Sequence, residues 1–354
     1  MSRFFSQKYS SLIPYTPGEQ PKDTQYIKLN TNESPFSPSP TAQLYFSKAA
    51  ENLQLYSDPE CRELVRIASK RFGINEDEII FSNGSDEVLN FAFMAFCDDN
   101  TPAVFPDITY GFYSVFAQIN NLPYKQIPLN DDFKINIDDY KNVCGTIFIA
   151  NPNAPTGIAL TVNEIEEIVK SNPENVVVID EAYVDFGAES VIPLTKKYDN
   201  LLVTQTFSKS RSLAGGRLGF GIGNKKLIQD LNTIKYSTNP YNVNSLTMAA
   251  GVGTLIDDIY CMDNCKKIID NRAWTVDELT KLGFSMTESL TNFVFAKHSK
   301  VDGKVIYLKL KEKGVLVRHF DKEPLKAYNR ITIGSKEQMA VLIEKLKEIL
   351  EEEK

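Results

Sequence analysis

Residues 206–220 read TFSKSRSLAGGRLGF, directly after the apolar run LLVTQT. Lys209 stands between Ser208 and Ser210, and the Gly215-Gly216 pair is followed by Arg217. Small residues crowded around Lys209 and Arg217 let an anion approach the backbone. Hydroxyls and N–H groups donate, the guanidinium offers a planar fork, and the glycines remove obstructing side chains. An amine kept from bulk water beside another cation has its ammonium form disfavoured, which prepares Lys209 for Schiff-base chemistry with a carbonyl compound. A solvated lysine in a flexible loop has the same local sequence, so partners are needed elsewhere in the chain.

Candidate partners recur at other places. NGSDE sets Gly84 and Ser85 at a helix start, where unpaired N–H groups and the helix dipole favour an anion, although Ser85 serves equally as an ordinary N-cap. Asp180 closes the apolar run NVVVID and needs a partner or a proton if buried; a cationic ring nitrogen, a helix start or an internal arginine would each supply one. Arg318 in VLVRHF and Arg330 in NRITIG match a carboxylate or phosphate bidentately. By pattern alone Arg318 reads as a surface ion-pair partner. The two histidines, His298 and His319, read as exposed, and Cys261 and Cys265 as two thiols on one helix, since no second pair follows at zinc-ligand spacing.

The elements that must position these groups are legible as an alternation. EIIF, PAVF, YKQI, TIFIA, NVVVID, LLVTQTF and LGFGIG read as strands, while SDEVLNFAFMAF and TVNEIEEIVK carry apolar residues at helical spacing. Strands separated by helices imply an α/β fold with a mostly parallel seven-stranded sheet covered on both faces. In such sheets ligands collect at the carboxyl ends of strands, where FSNGSDE, NPNAPTG, DEAY and TFSKS all fall.

After residue 245 the texture changes to a long helical region, then the short strands NFVFA, VLVRHF and RITIG, and a closing helix SKEQMAVLIEKLKEIL. This reads as a second, smaller α+β domain. The expected division is a large cofactor-binding domain, 41–245, and a small domain of 246–354 with the N-terminal segment 1–40. NTNESPFSPSP within that segment reads as an extended connector.

The totals set limits on function. A chain of 354 residues with 42% hydrophobic content is of two-domain enzyme size. Its formal net charge of −7 argues against a polyanion-binding surface. Five scattered cysteines fit a reducing cytoplasm better than a secreted disulfide framework. The N-terminus MSRFFSQKYS shows no signal-peptide apolar region, and no run of about 18 apolar residues occurs. A soluble, cytoplasmic protein is expected.

Taken together, NPNAPTG, VVVIDEAY and TFSKSRSLAGGRLGF, in that order and at those separations, resemble the fold-type I pyridoxal-phosphate-dependent aminotransferases over nearly the whole chain. More narrowly, IPYTPGEQP, LNTNESPF, LYSDPE and RITIG are similar to the branch that acts on histidinol phosphate in histidine biosynthesis, with 2-oxoglutarate as acceptor and glutamate as product.

The resemblance implies roles residue by residue. Lys209 would carry pyridoxal phosphate as a Schiff base and then serve as general base. Ser208 and Arg217, with Ser85 and the Gly84 loop, would hold the phosphate, and Asp86 and Thr206 would be further cofactor-binding residues. Asp180 would pair with the pyridinium nitrogen, Tyr183 would hydrogen-bond the ring oxygen, and Tyr110 would stack on the ring. Arg330 would bind the substrate carboxylate or phosphate, with Arg318, Tyr15, Asn32 and Tyr241 completing the pocket. Tyr56 would reach the cofactor of a neighbouring subunit, implying a homodimer. The family commonly has asparagine directly before Pro-Thr-Gly to bind the ring oxygen; this chain has Ala154, and Asn153 is the candidate substitute.

Rival readings share parts of this pattern. A threonine-phosphate decarboxylase or an aromatic-amino-acid aminotransferase would carry the same motifs. A non-catalytic cofactor-binding regulator would need a DNA-binding module, and no such basic segment is present. GFGIG as a dinucleotide loop lacks the third glycine at the required spacing and the acidic residue about 20 positions on.

Overall fold

A computed structural model describes residues 2–21 and 26–353 of the chain. Strand β1 (Ile27–Lys28) and helices α1 (Pro40–Ala49) and α2 (Arg62–Phe72) precede the alternating region. There follow β2 (Ile79–Ser82), α3 (Ser85–Phe96), β3 (Ala103–Pro106), α4 (Phe112–Ile119), β4 (Tyr124–Ile127), β5 (Thr146–Ala150) and α5 (Val162–Ser171). Strands β6 (Val177–Asp180), β7 (Leu201–Thr206) and β8 (Gly219–Gly223) complete the sheet, and α6 (Lys225–Thr238) and α7 (Ser245–Ile256) follow. The later part holds α8 (Asp258–Lys281), β9 (Phe284–Met286), β10 (Phe293–His298), α9 (Gly303–Glu312), β11 (Val315–Leu316), β12 (Arg318–His319), β13 (Asn329–Thr332) and α10 (Lys336–Glu352).

The seven strands read from the sequence form one sheet in the order β2-β8-β7-β6-β5-β3-β4. All its neighbours are parallel except those of β8, which runs antiparallel to both β2 and β7. Strands β5, β6 and β7 are buried along their full length, as continuous apolar runs covered on both faces must be. Leu64 of α2, Ile165 and Ile168 of α5 and Ala250 of α7 pack on one face. Leu89 of α3, Phe116 of α4 and Leu231 of α6 pack on the other. Helix α5 starts where its sequence says it should: Thr161 accepts from Glu164 N–H, and the Glu164 carboxylate accepts from Thr161 N–H, satisfying two otherwise orphaned donors. GFGIG is β8 itself, so it forms no phosphate loop.

A second core joins Ile268 of α8, Val294 of β10, Leu310 of α9, Ile331 of β13 and Leu342 of α10. Here VLVRHF departs from the single strand expected. Val315 and Leu316 pair in parallel with β1, whereas Arg318 and His319 pair antiparallel with β13 in a four-stranded sheet. The long helical region breaks at Asp257 into α7 and α8. From Asn30 to Ser39 the chain is neither helix nor strand, as its prolines and serines imply.

Candidate active site

Strand register gathers the polar loops on one edge of the large sheet. Ser82, Gly219 and Thr206 share a row across β2, β8 and β7, and Ala150, Asp180 and Thr204 share a row across β5, β6 and β7. Because β8 is antiparallel, its start meets the carboxyl ends of its neighbours, which brings Arg217 to the same edge as Lys209. A cleft of about 650 Å³ opens there, lined by Ser85, Tyr110, Asp180, Tyr183, Lys209 and Arg217 from the sheet side and by Arg318 and Arg330 from the second layer.

At one end the cleft has an anion cup. Arg217 donates to Ser208 Oγ at 3.2 Å and to Asp86 at 3.0 Å, and Tyr110 donates to the other Asp86 oxygen at 2.7 Å. Thr206 Oγ1 donates to Ser208 Oγ at 3.0 Å. Gly84 caps α3 at φ +79°, and a Cβ there would lie 2.6 Å from Arg217 Nη2; a Cβ on Gly219 would lie 2.1 Å from Ser85 N. The two glycines thus let the N-terminus of α3 and a guanidinium close on the same point, where free N–H groups and the helix dipole favour a phosphate.

Further in, Asp180 is only 4% exposed. It accepts from Tyr113 OH at 3.2 Å and Thr204 Oγ1 at 3.3 Å, with no cation paired to it among the described residues. Burial, reinforced by the Asp86 charge, pushes its carboxyl up to about 7, and burial pushes the neighbouring Glu181 to about 7 as well. A buried carboxylate short of a positive partner at the floor of a cleft is the complement of a protonated ring nitrogen. With the phosphate-sized cup and the Lys209 amine in the same cleft, the residues present fit pyridoxal phosphate.

These two raised acids make a pH prediction. Between about pH 4 and 7 the folded, cofactor-free protein holds protons that the unfolded chain has released, so their joint effect is stability that falls as pH rises through that window. Each contributes a slope of at most about 1.4 kcal/mol per pH unit. Thermal melting of the cofactor-free protein from pH 5 to 7.5 should therefore fall more steeply for the wild type than for Asp180→Asn. Parallel curves would mean that Asp180 is ionised throughout.

Lys209 is half-buried, with Nζ donating to Thr31 O at 3.2 Å and lying 5.8 Å from the centre of the Tyr183 ring. Tyr183 OH accepts from Asn32 Nδ2 at 2.9 Å, which leaves its own proton free to donate. Asn32 is itself held by the second layer: its N–H donates to Thr332 Oγ1, and its carbonyl accepts from Asn292. Arg330 donates to Asn30 O at 3.1 Å, while its buried Nε finds no partner among the described residues. Arg318 is no surface ion-pair residue; it lines the cleft and donates to the carbonyls of Thr16 and Pro17. Tyr15 lines the same cleft, stacked on Phe112 at 4.3 Å.

Three expected site residues are not brought into this cleft. Asn153 spends its amide on Ile108 O, Thr156 and Thr109, facing away, while Ala154 lines the cleft in its place. Tyr56 and Tyr241 stack on each other at 4.8 Å on the outside of the same chain, 85% and 45% exposed. His319, expected to be exposed, has a side chain only 5% accessible, stacked on Tyr307.

Other residues at the site escaped the sequence reading. Tyr113 and Thr204 orient Asp180; the spacing of Tyr110 and Tyr113 around a helix start was the available signal for the first. Arg211, buried two residues after Lys209, pairs with Asp185 at 2.9 Å and Asp258 at 3.4 Å, tying the lysine loop to the Tyr183 turn and to α8. Nothing in its local sequence separates it from a solvated arginine.

The family model for aminotransferase class I and II matches residues 24–346. The chain belongs to that family. Within it, the chain is 51% identical to the histidinol-phosphate aminotransferase of Brachyspira hyodysenteriae over 99% of both chains. It is 48% identical to that of Marinomonas sp., over 98% of this chain and 99% of the relative. The fold matches the crystal structure of histidinol-phosphate aminotransferase from Sinorhizobium meliloti in complex with pyridoxal-5'-phosphate, with a TM-score of 0.90, 22% identity, and coverage of 100% of this chain and 99% of that one.

Proposed function

We propose that this protein is a pyridoxal-phosphate-dependent aminotransferase that moves the amino group of histidinol phosphate to 2-oxoglutarate, giving imidazole acetol phosphate and L-glutamate. The observation that carries this is the shared cleft: Lys209 and Asp180 on one wall, and on the other the guanidiniums of Arg318 and Arg330, neither with a carboxylate partner among the described residues.

Bound pyridoxal phosphate supplies an electron sink for the substrate α-carbon and a carrier for its amino group. Ser208, Arg217 and the N-terminus of α3 would hold its phosphate, and Asp180 would keep its ring nitrogen protonated. Tyr183 would donate to the ring oxygen and Tyr110 would cover the ring. Lys209 would be the covalent anchor, and its Nζ would move the substrate α-proton as general base and then acid. Arg330 and Arg318 grip the anionic end of the substrate, so the α-carbon is presented to Lys209 in one orientation. Tyr15 and Asn32 close the remaining sides.

Two further parts of the reading concern assembly. Tyr56, stacked on Tyr241 outside its own cleft beside the exposed Leu53 and Leu55, would enter the cleft of a second copy, in a homodimer where it completes the partner's site; its exposure supports this reading. The expected division at residue 245 moves to the end of helix α7, giving one unit of residues 41–256 and another of residues 1–40 with 257–354, since Gly251 packs on Leu218 and Gly253 on the backbone of Ala42. Among the described residues no helix is long and apolar enough to cross a membrane, and a cytoplasmic location suits the chemistry.

The test is product analysis of the purified, cofactor-loaded protein. Glutamate should form from 2-oxoglutarate with histidinol phosphate as amino donor, and no carbon dioxide should leave threonine phosphate. Carbon dioxide release without glutamate would make the protein a decarboxylase; glutamate formed from aromatic amino acids but not from histidinol phosphate would move it to the other branch.

A further inference from the structure

The cationic end of the cleft, where Arg318 and Arg330 meet, also holds an aromatic ring that none of the proposed roles uses. Arg318 and Arg330 are direct cross-strand partners on β12 and β13, an arrangement in which like charges repel. No acidic side chain pairs with either guanidinium among the described residues; their donors go to backbone carbonyls. The group between them is the ring of Phe320, with Arg318 Cζ 5.7 Å and Arg330 Cζ 6.0 Å from its centre. Arg330 also lies 5.3 Å from the centre of the Phe293 ring, so two aromatic faces flank it. Phe320 is braced in turn, edge-on against Phe295 at 6.1 Å, and it lines the cleft.

An aromatic face presents partial negative charge to a cation without consuming any of its N–H donors. The ring therefore stabilises two neighbouring guanidiniums without occupying an N–H, so their donors meet only long or neutral backbone carbonyls, which an anion can displace, whereas a carboxylate in the same place would compete with it. We propose that Phe320 is a specificity-determining residue: it holds Arg318 and Arg330 as a spaced pair that favours a phosphomonoester over a carboxylate at this end of the cleft. A phosphomonoester carries three terminal oxygens and up to two charges, enough to engage both forks together; a carboxylate, with two oxygens and one charge, is satisfied by one. The inference rests on the transamination reading above, in which the same cleft receives a phosphorylated amine in one half-reaction and a dicarboxylate in the other. Loss of the ring should weaken the grip on the first far more than on the second.

The test is steady-state kinetics of the loaded enzyme with both substrates varied, for wild type, Phe320→Leu and Phe320→Tyr. The leucine variant should raise KM for histidinol phosphate roughly ten-fold, with KM for 2-oxoglutarate moving less than about three-fold and the change falling on KM rather than kcat. The tyrosine variant, which keeps the ring, should stay within about three-fold of wild type for both. Phe320→Met replaces the leucine variant if that one fails to retain cofactor, as judged by its absorbance. Equal rises for both substrates, no rise for either, or a tyrosine variant as impaired as the leucine one would overturn the inference while leaving transamination intact. Absence of glutamate with the wild type would instead remove the reading beneath it, and the inference with it.

Discussion

Replacing Lys209 with alanine is expected to lower transamination by on the order of 10⁴-fold or more, because in the proposed roles one side chain would supply both the covalent anchor and the proton carrier. The cup formed by Arg217, Ser208 and the start of α3 is untouched by the change, so cofactor should still be taken up. Its absorbance should shift from that of a lysine-linked imine to that of the free aldehyde, and borohydride should no longer fix it to the protein. Lys209→Arg should not rescue, since a guanidinium stays protonated and cannot act as base at neutral pH. A Lys209→Ala protein with a borohydride-fixable yellow band and a rate within ten-fold of wild type would place the anchor elsewhere.

The second large effect is expected at Asp180. Asp180→Asn keeps the shape but removes the charge proposed to hold a proton on the ring nitrogen, and turnover should fall by about 10²–10³-fold, the scale of losing one preorganised electrostatic partner. The amide also faces donors, since Tyr113 OH and Thr204 Oγ1 both point at the Asp180 carboxylate. Tyr113→Phe removes one of these donors and keeps the charge, so its loss should be much smaller. The measurement is kcat with histidinol phosphate alongside the pH dependence of the bound cofactor's absorbance. Full activity in Asp180→Asn would mean that ring protonation does not depend on this carboxylate.

The strands of the large sheet were legible because their signals are local. The runs IFIA and VVVI are apolar throughout, and their shortness and β-branched content favour a strand covered on both faces over a buried helix. The chemistry-bearing loops were legible for a related reason: they sit at strand ends, where the turn residues punctuate the sequence. What escaped depended on partners far along the chain. VLVRHF looks like one strand, but its first residues meet β1, nearly 290 positions earlier, and the next pair meets β13, so the split at Val317 has no local mark. Asn153 and Ala154 are adjacent and equally plausible in sequence; only the loop's conformation turns Asn153 toward Ile108 and Thr156 and leaves Ala154 at the cleft wall. Arg211 and Phe320 likewise take their meaning from Asp185, Asp258, Arg318 and Arg330.

Asn32, which donates to Tyr183, is held by Asn292 and Thr332. The hydroxyl of Tyr183 therefore takes its direction, through Asn32, from side chains 260 and 300 positions further along the chain. Loosening the second layer, at a distance from every group that would touch the coenzyme, is enough to let that hydroxyl turn away.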